Sequence, residues 1–257
     1  MKIIVIGGAG AIGSRVVNNL NARGHEAISA SPRSGVNAVT GEGLADALRG
    51  AQVVIDVANS PLWEDQAVLK FFEKSTQNIL VAAKAAGIGH YVALSIVGAD
   101  RLPDSGYMRA KVAQENLMKA GGVPYTILRA TQFMEFLGGI ADASGGGDEI
   151  RLTTSLLQPI AADDVAAAVT DVALESPANA TLDVAGPVAY PMAEIVGAYL
   201  QAKGDKRRVI ADDQTGYFGA ALAKRALVPA GEARIGATSF DQWLERSTPV
   251  QHATAQG

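Results

Sequence analysis

The sequence predicts a doubly wound α/β fold, a parallel sheet with helices on both faces and a smaller C-terminal substrate-binding lobe. Three observations carry this expectation. A glycine-rich turn, Gly7-Gly-Ala-Gly10-Ala-Ile-Gly13, follows the first apolar run. Short β-rich runs then alternate with longer helical stretches through the first half of the chain. Those runs are apolar on both faces, as parallel strands covered on two sides are.

The elements follow in order. Residues 3–6 (IIVI) are a fully apolar strand, and residues 11–23 a helix stopped by Gly24. Residues 26–30 form a weaker second strand, 44–48 a short helix before Gly50, and 52–57 (QVVIDV) a third strand. Residues 64–86 form a long helix ending at Gly87. Residues 90–95 (HYVALS) are a fourth strand, 106–120 a helix and 125–129 (YTILR) a fifth strand. Right-handed crossovers then predict the strand order 3-2-1-4-5 with later additions.

After Asp142 the texture changes at Ala143-Ser-Gly-Gly-Gly-Asp148. Strands at 149–153, 180–185 and 207–211 alternate with helices at 162–174 and 192–202. Residues 214–237 read as irregular and 240–246 as a last amphipathic helix. The expected division is a dinucleotide-binding core at 1–142, a lobe at 143–247 that returns to the sheet and builds the substrate pocket, and a disordered tail at 248–257.

Composition narrows the function. The chain has 257 residues, 48% hydrophobic and 19% charged, enough for a substantial core. A net charge of −4 gives phosphate backbones and anionic membranes no attraction, so neither nucleic acid nor membrane is an expected partner. The absence of cysteine excludes thiolate metal sites, and His25, His90 and His252 stand too far apart to predict a histidine metal cluster. Neither a secretory signal nor a membrane span is legible, so a cytoplasmic protein is expected, with monomer and homodimer both open.

The glycine turn has a physical reading. Gly7 permits a tight turn, Gly10 lets the backbone approach a pyrophosphate, and Gly13 lets the helix lie close to the sheet. The helix N-terminus then offers free N–H groups and partial positive charge. Gly7, Ala9, Gly10, Ala11, Ile12 and Gly13 are therefore the candidate phosphate cradle of a Rossmann fold. Packing alone is the plainer alternative for such a turn. After the second strand the chain reads Ser29-Ala-Ser31-Pro-Arg33-Ser34, without the carboxylate that usually receives the ribose hydroxyls of NAD. Arg33 offers a charged fork to a 2′-phosphate, with Ser31 and Ser34 beside it. The expected cofactor is NADP(H) rather than NAD(H).

Tyr107 and Lys111 are spaced i, i+4 and share one helix face. An ammonium close to a phenol favours the phenolate, so Tyr107 is the candidate general acid or base and Lys111 its partner. Ser95 ends the fourth strand, at the edge where ligands of open α/β sheets bind, and is the candidate donor to a carbonyl oxygen. The alternative is a partly buried tyrosine beside a surface lysine.

These motifs together resemble the short-chain dehydrogenase/reductase superfamily, in particular its atypical NmrA-like branch. The resemblance spans about residues 1–200, through GGAGAIG at 7–13, TQNILVAAKAAGIGHYVALS at 76–95, GYMRAKVAQENL at 106–117, PYTILRATQF at 124–133 and QPIAADDVAAAV at 158–169. It implies a nicotinamide over the Ser95/Tyr107/Lys111 face, with Lys111 on its ribose and Ala130, Thr131, Gln132 and Phe133 covering it. It also implies Ala58, Asn59 and Ser60 near the adenosine ribose. Two departures stand out: Phe72 replaces a relay asparagine, and Pro32 takes the usual basic position ahead of Arg33. Many NmrA-like proteins lack the tyrosine and act as redox sensors, whereas this chain keeps it. The resemblance implies an NADP(H)-dependent oxidoreductase acting on a small apolar carbonyl or quinone substrate. Its alternative is an NADP(H)-binding redox sensor without turnover.

Other residues have plainer readings. Asp163 and Asp164 suit a helix N-terminus, Asp212 and Asp213 a solvated loop, and His90 a structural position. Trp63 and Trp243 read as packing residues, with Trp63 near the adenosine edge. Phe133, Met134, Phe136, Leu156, Leu157, Tyr217 and Phe218 read as core or as an apolar substrate wall.

Overall fold

The computed structural model describes residues 1–247, so His252 and the expected tail at 248–257 lie outside the described residues. In chain order the elements are β1 (Lys2–Ile6), α1 (Ala11–Ala22), β2 (Glu26–Ala30), α2 (Leu44–Leu48), β3 (Val53–Asp56), α3 (Asp65–Ala86), β4 (His90–Ile96), α4 (Gly106–Ala120) and β5 (Tyr125–Ala130). Then come α5 (Leu137–Ala143), β6 (Glu149–Leu152), β7 (Leu156–Leu157), α6 (Ala162–Leu174), β8 (Ala180–Ala185), β9 (Tyr190–Pro191), α7 (Met192–Ala202), β10 (Arg208–Ala211), β11 (Arg234–Ile235) and α8 (Phe240–Ser247).

The central sheet has seven strands, all parallel, in the order β11-β8-β5-β4-β3-β1-β2. The doubly wound fold is as expected, but the order 3-2-1-4-5 is not. The third strand pairs with β1, Ile3 opposite Val53, and β2 is left as the edge. The chain between β2 and α2 supplies no strand to cover that edge. It folds into a tight turn closed by the Asn37–Glu42 bridge, and then crosses β1 to start β3.

Alternate residues of β1 feed two cores. Ile3 and Val5 pack with Ile12, Val16 and Leu20 of α1 and Val165 and Val169 of α6. Ile4 and Ile6 pack with Leu44 and Leu48 of α2, Ile79 and Ala83 of α3, and Met118 of α4. The four-residue spacing of the α1 positions puts one stripe on the sheet. Helix α3 stops where Gly87 turns left-handed at φ +67. The backbone N–H of Ala162 donates to the Glu135 carboxylate at 3.1 Å, which satisfies one free donor at the start of α6.

Beyond β5 the chain builds two small pairs, β6 with β10 and β7 with β9, around a third core that includes Met134, Leu137, Leu157, Met192 and Tyr217. Strands β8 and β11 extend the main sheet. All seven parallel strands end on one edge, and that edge carries the residues considered next. Among the described residues no helix is long and apolar enough to cross a membrane.

Candidate functional site

The glycine turn lies where β1 separates β2 from β3, the switch point at which open α/β sheets bind ligands. Gly7 is left-handed at φ +79, and a Cβ there would stand 2.7 Å from the backbone nitrogen of Ala58. A Cβ on Gly13 would stand 2.6 Å from Cα of Gly8. The protein's own packing therefore demands glycine at both positions. Gly10 differs: a Cβ there meets only the Gly7 carbonyl oxygen, at 3.2 Å. Ala9, Gly10 and Ala11 are exposed, Ile12 and Gly13 are buried, and no side chain caps α1. An open space in front of uncapped helix N–H groups is an anion cradle.

Beside this turn, Pro32–Ser34 forms one 3-10 turn. Ser31 N–H donates to Ser34 Oγ at 2.9 Å, and Ser34 Oγ donates to the Ser31 carbonyl at 3.0 Å. Both serines are thus ordered by each other. Arg33 is exposed and makes no hydrogen bond or ion pair among the described residues. Across the crevice, Ala58 N–H donates to Asp56 Oδ1 at 3.1 Å and Ser60 N–H to Asn59 Oδ1 at 2.9 Å.

Helix α4 delivers Tyr107 to the same edge. Ser105 caps it, accepting from Met108 N–H at 3.4 Å, and Gly106 lets its first turn sit against Asp65 of α3. The Tyr107 hydroxyl donates to Asn59 Oδ1 at 2.9 Å. Its ring lies 5.5 Å from that of Trp63 and 6.0 Å, edge-on, from that of Phe72. Trp63 is 66% exposed, so it borders the site rather than packing inside.

Lys111 turns inward. Its ammonium donates to the Leu94 carbonyl at 2.9 Å and to Gln114 Oε1, and sits 4.3 Å over the Phe72 ring. Gln114 passes the contact on, donating from Nε2 to Asp56 Oδ2 at 2.9 Å, and the Tyr91 hydroxyl donates to the same oxygen at 3.2 Å. Burial lowers Lys111 to about 8, against the attraction of Asp56 and Glu115. Burial also raises the Asp56 carboxyl, with Lys111 opposing. The expected lowering of the Tyr107 phenol by Lys111 does not occur. Burial pushes Tyr107 up to about 12, opposed only by the bond with Asn59, because the ammonium is held by Leu94 and Gln114.

Ser95 belongs to another network. Its hydroxyl donates to Glu115 Oε1 at 2.7 Å, and Arg129 grips both oxygens of that carboxylate at 2.8 Å while reaching Asp100 at 3.1 Å. Glu115 stands eight residues beyond Tyr107 on α4, roughly 12 Å along the axis at 1.5 Å per residue. The structure thus brings Tyr107 to Asn59 and leaves the Ser95 hydroxyl on Glu115.

At the end of β5, Thr131 and Gln132 are buried at 1% and 7% exposure. Thr131 Oγ1 and Gln132 Oε1 have no hydrogen-bond partner among the described residues. Buried polar atoms without partners are rare, and these two directly follow Ala130, the last residue of β5.

A sequence profile of the NAD(P)H-binding family matches residues 7–177, which takes in the glycine turn, Tyr107 and the end of β5. The chain belongs to the NAD(P)H-binding family. Similar proteins include the photosystem II assembly factor Ycf39 of Synechocystis sp., 26% identical over 227 residues, 81% of this chain and 70% of that protein. The divinyl chlorophyllide a 8-vinyl-reductase of Cucumis sativus is 30% identical over 222 residues, 72% of this chain and 53% of that protein. This NAD(P)H-binding chain therefore spans about half of the reductase. In fold it matches MoeE5 in complex with UDP-glucose and NAD, with TM-score 0.73 at 20% identity over 95% of this chain and 98% of that one. It also matches a dTDP-4-dehydrorhamnose reductase from Bacillus anthracis in complex with NADP, with TM-score 0.66 at 14% identity over 95% and 97%.

The residues of this NAD(P)H-binding chain fit a dinucleotide: the space at Gly10, the uncapped start of α1, and the unpartnered oxygens of Thr131 and Gln132. Sequence reasoning missed Asp56, Gln114 and Glu115. The one available signal was a lone acid in the apolar run QVVIDV. Two loop readings are extended. Asp213 is exposed, as a solvated loop residue should be, yet accepts from Thr154 N–H at 2.8 Å and Thr154 Oγ1 at 2.7 Å, and the half-buried Asp212 pairs with Arg151 at 3.1 Å, so this loop also ties the lobe together. His90 bonds Thr126 Oγ1 at 2.9 Å.

The buried Asp56–Gln114–Lys111 chain yields a stability prediction. Asp56→Asn puts an amide donor where Gln114 and Tyr91 both donate, which should cost about 1–3 kcal/mol at neutral pH. The partner's charge sets the pH dependence. Lys111 in the folded protein loses its proton near pH 8, so the part of the loss due to an uncompensated ammonium should shrink as pH rises through that value. Thermal melts of parent and variant at pH 7 and pH 9 provide the measurement, and an equal or larger loss at pH 9 would contradict the assignment.

Proposed function

We propose that this chain is an NADP(H)-dependent oxidoreductase that interconverts a carbonyl, or a quinone-like group, and its alcohol on a small, largely apolar molecule. One observation carries the reading: the Tyr107 hydroxyl stands at the switch-point edge, held by Asn59 and flanked by the exposed ring of Trp63. Membership in the NAD(P)H-binding family and the likeness to a named reductase support it.

When bound, NADP(H) supplies the hydride. The chain's own residues do the rest. The N–H groups at the start of α1 and the space at Gly10 take the pyrophosphate. Ser31, Arg33 and Ser34 take the 2′-phosphate, Ala58, Asn59 and Ser60 the adenosine ribose edge, and Ala130 and Thr131 the nicotinamide end. Tyr107, kept protonated by burial, gives its proton to the developing alkoxide. Lys111 holds positive charge beneath the site and stiffens α4 through Gln114 and Asp56. Ser95 is assigned to fixing α4 on β4 through Glu115, since its hydroxyl proton is already engaged there. Residues 1–142 form the dinucleotide-binding part of this reading and 143–247 the part that shapes the substrate pocket.

The deciding experiment follows NADPH oxidation across a panel of ketones, aldehydes and quinones. A second reading, an NADP(H)-responsive binding module without turnover, is favoured by the inward turn of Lys111 away from the Tyr107 hydroxyl. Cofactor binding with no oxidation of NADPH by any compound would favour that module.

Cofactor choice has its own test. Arg33 is unpaired among the described residues and no acid follows β2, so NADPH should bind more tightly than NADH. Arg33→Ala should weaken NADPH by about 1.5–3 kcal/mol, the worth of a hydrogen bond to a charged group, and leave NADH nearly unchanged. Calorimetric titration of both cofactors measures this. Equal losses for the two would assign Arg33 no role at the 2′-phosphate.

A further inference from the structure

We propose that Asn59 is a positioning residue that withholds the Tyr107 proton from a neutral carbonyl and yields it only to an oxygen carrying negative charge. The inference rests on the oxidoreductase reading above. Tyr107 has one hydroxyl proton, and in the resting protein that proton lies on Asn59 Oδ1 at 2.9 Å.

The amide cannot be turned the other way. Ser60 N–H also donates to Asn59 Oδ1, at 2.9 Å, and the amide oxygen alone can accept it. The loop around it is tied as well. Ala58 N–H donates to Asp56 Oδ1 at 3.1 Å, Leu62 N–H to Ser60 Oγ at 3.2 Å, and the Trp63 ring stands 5.5 Å from the Tyr107 ring. The backbone nitrogen of Ala58 would lie 2.7 Å from a Cβ on Gly7, so the loop also abuts the glycine turn. One segment, 56–63, therefore touches the ring of the phenol, its hydroxyl and the candidate cofactor cradle.

Ser95 shows what a permanently engaged hydroxyl looks like. It is 3% exposed and donates at 2.7 Å to Glu115, a carboxylate 1% exposed that Arg129 also grips. That bond is charge-assisted and buried, so it does not exchange readily. Asn59 is the opposite on both counts. Its side chain is neutral, and it is exposed on the loop between β3 and α3, where water replaces a lost partner. A neutral bond of this kind is worth about 2- to 10-fold in an equilibrium constant.

The strength of the competing acceptor then decides where the proton goes. A ketone oxygen is neutral, like the amide oxygen, and the amide is already in place. An alkoxide makes a charge-assisted bond, roughly twice as strong. As the carbonyl carbon takes up hydride, the C=O π pair moves to oxygen and the charge appears. Tyr107 then leaves Asn59, its O–H bond breaks, the proton passes to the alkoxide, and the phenolate left behind is reprotonated from solvent. Tyr107 thus stabilises the transition state without stabilising the bound ground state, the condition under which an interaction raises kcat rather than lowering KM.

The test uses two probes on the full chain saturated with NADP⁺, which has no hydride to give: acetophenone, a neutral carbonyl, and 4-nitrophenolate, an oxyanion. Calorimetry should show that Tyr107→Phe leaves acetophenone affinity unchanged and weakens 4-nitrophenolate roughly 10- to 100-fold. Asn59→Ala should tighten acetophenone about 2- to 10-fold, and the gain should vanish in the Tyr107→Phe/Asn59→Ala double variant. Asn59→Asp keeps an acceptor for both Tyr107 and Ser60 and should show no gain. In a parent that turns over, Asn59→Ala should lower KM and leave kcat no higher than parental. Parental acetophenone affinity in Asn59→Ala, a gain that survives in the double variant or arises in Asn59→Asp, or no binding of either probe by the parent overturns the proposal. So does a melting temperature that falls by several degrees in Asn59→Ala and holds in Asn59→Asp, which would make Asn59 a support of the loop. The full binding pattern in a parent that reduces no carbonyl or quinone keeps the Asn59 assignment and rejects the redox reading alone.

Discussion

Tyr107→Phe should keep the fold and the NADPH affinity and lower kcat by roughly 10²–10⁴, the usual contribution of a general acid. The substitution removes one oxygen. The ring keeps its place between Trp63 and Phe72, and Asn59 Oδ1 keeps the Ser60 N–H. What disappears is the hydroxyl that α4 holds against Asn59 at the sheet edge. Burial raises this phenol to about 12, so at neutral pH it is protonated and ready to donate. The same shift makes phenolate scarce, so alcohol oxidation, which needs the base form, should speed up as pH rises toward that value. Reduction should show no loss from Tyr107 until the same range. Steady-state kinetics in both directions, with calorimetry of NADPH, measures all of this. A variant turning over at the parental rate would rule out the tyrosine as the acid.

Gly10→Val should raise the Kd for NADPH by about 100-fold or more, some 2.8 kcal/mol at 1.4 kcal/mol per tenfold, with little change in melting temperature. The reason is the difference among the three glycines. At Gly10 an added side chain meets one carbonyl oxygen at 3.2 Å and otherwise projects into open space. The proposed function puts the pyrophosphate in that space, so the cost should fall on binding. Gly13→Val is the contrasting variant. Its Cβ collides with the backbone of Gly7 and Gly8, so it should lose stability and binding together. Melting curves and calorimetry on both variants separate the two effects. Normal NADPH binding by folded Gly10→Val would mean that the turn serves packing alone.

Much of this site was legible in the sequence because its parts are local. The glycine turn is one loop between a strand and a helix, and the Tyr107–Lys111 pair is one helix turn, so spacing alone places each. Spacing stops at the helix face. It says that Lys111 shares a face with Tyr107, but the end point of a long side chain depends on Leu94, Gln114 and Phe72, which arrive from β4, α4 and α3. Asp56 and Gln114 are 58 residues apart, and no local pattern announces their bond. The strand order failed for a related reason. Strands are read in order of appearance, whereas pairing of β3 with β1 rather than β2 follows from where the crossover lands. The parallel character of the sheet was legible because burial on both faces leaves continuous apolar runs.

Three exposed aromatic rings, Trp63, Phe136 and Phe218, share one trait: none of them stands on a strand of the central sheet. Trp63 precedes α3, Phe136 precedes α5, and Phe218 tips a two-residue turn. The groups that fix Tyr107 and its helix stand on other parts: Asn59 just past β3, Phe72 on α3, Ser95 on β4 and Glu115 on α4. If the proposed function holds, chemistry and selectivity are written on separable parts of the chain. A lineage carrying this scaffold is free to explore new molecules by mutating the rim, while the proton donor beneath stays aligned, and a combinatorial library restricted to these three positions samples that freedom directly.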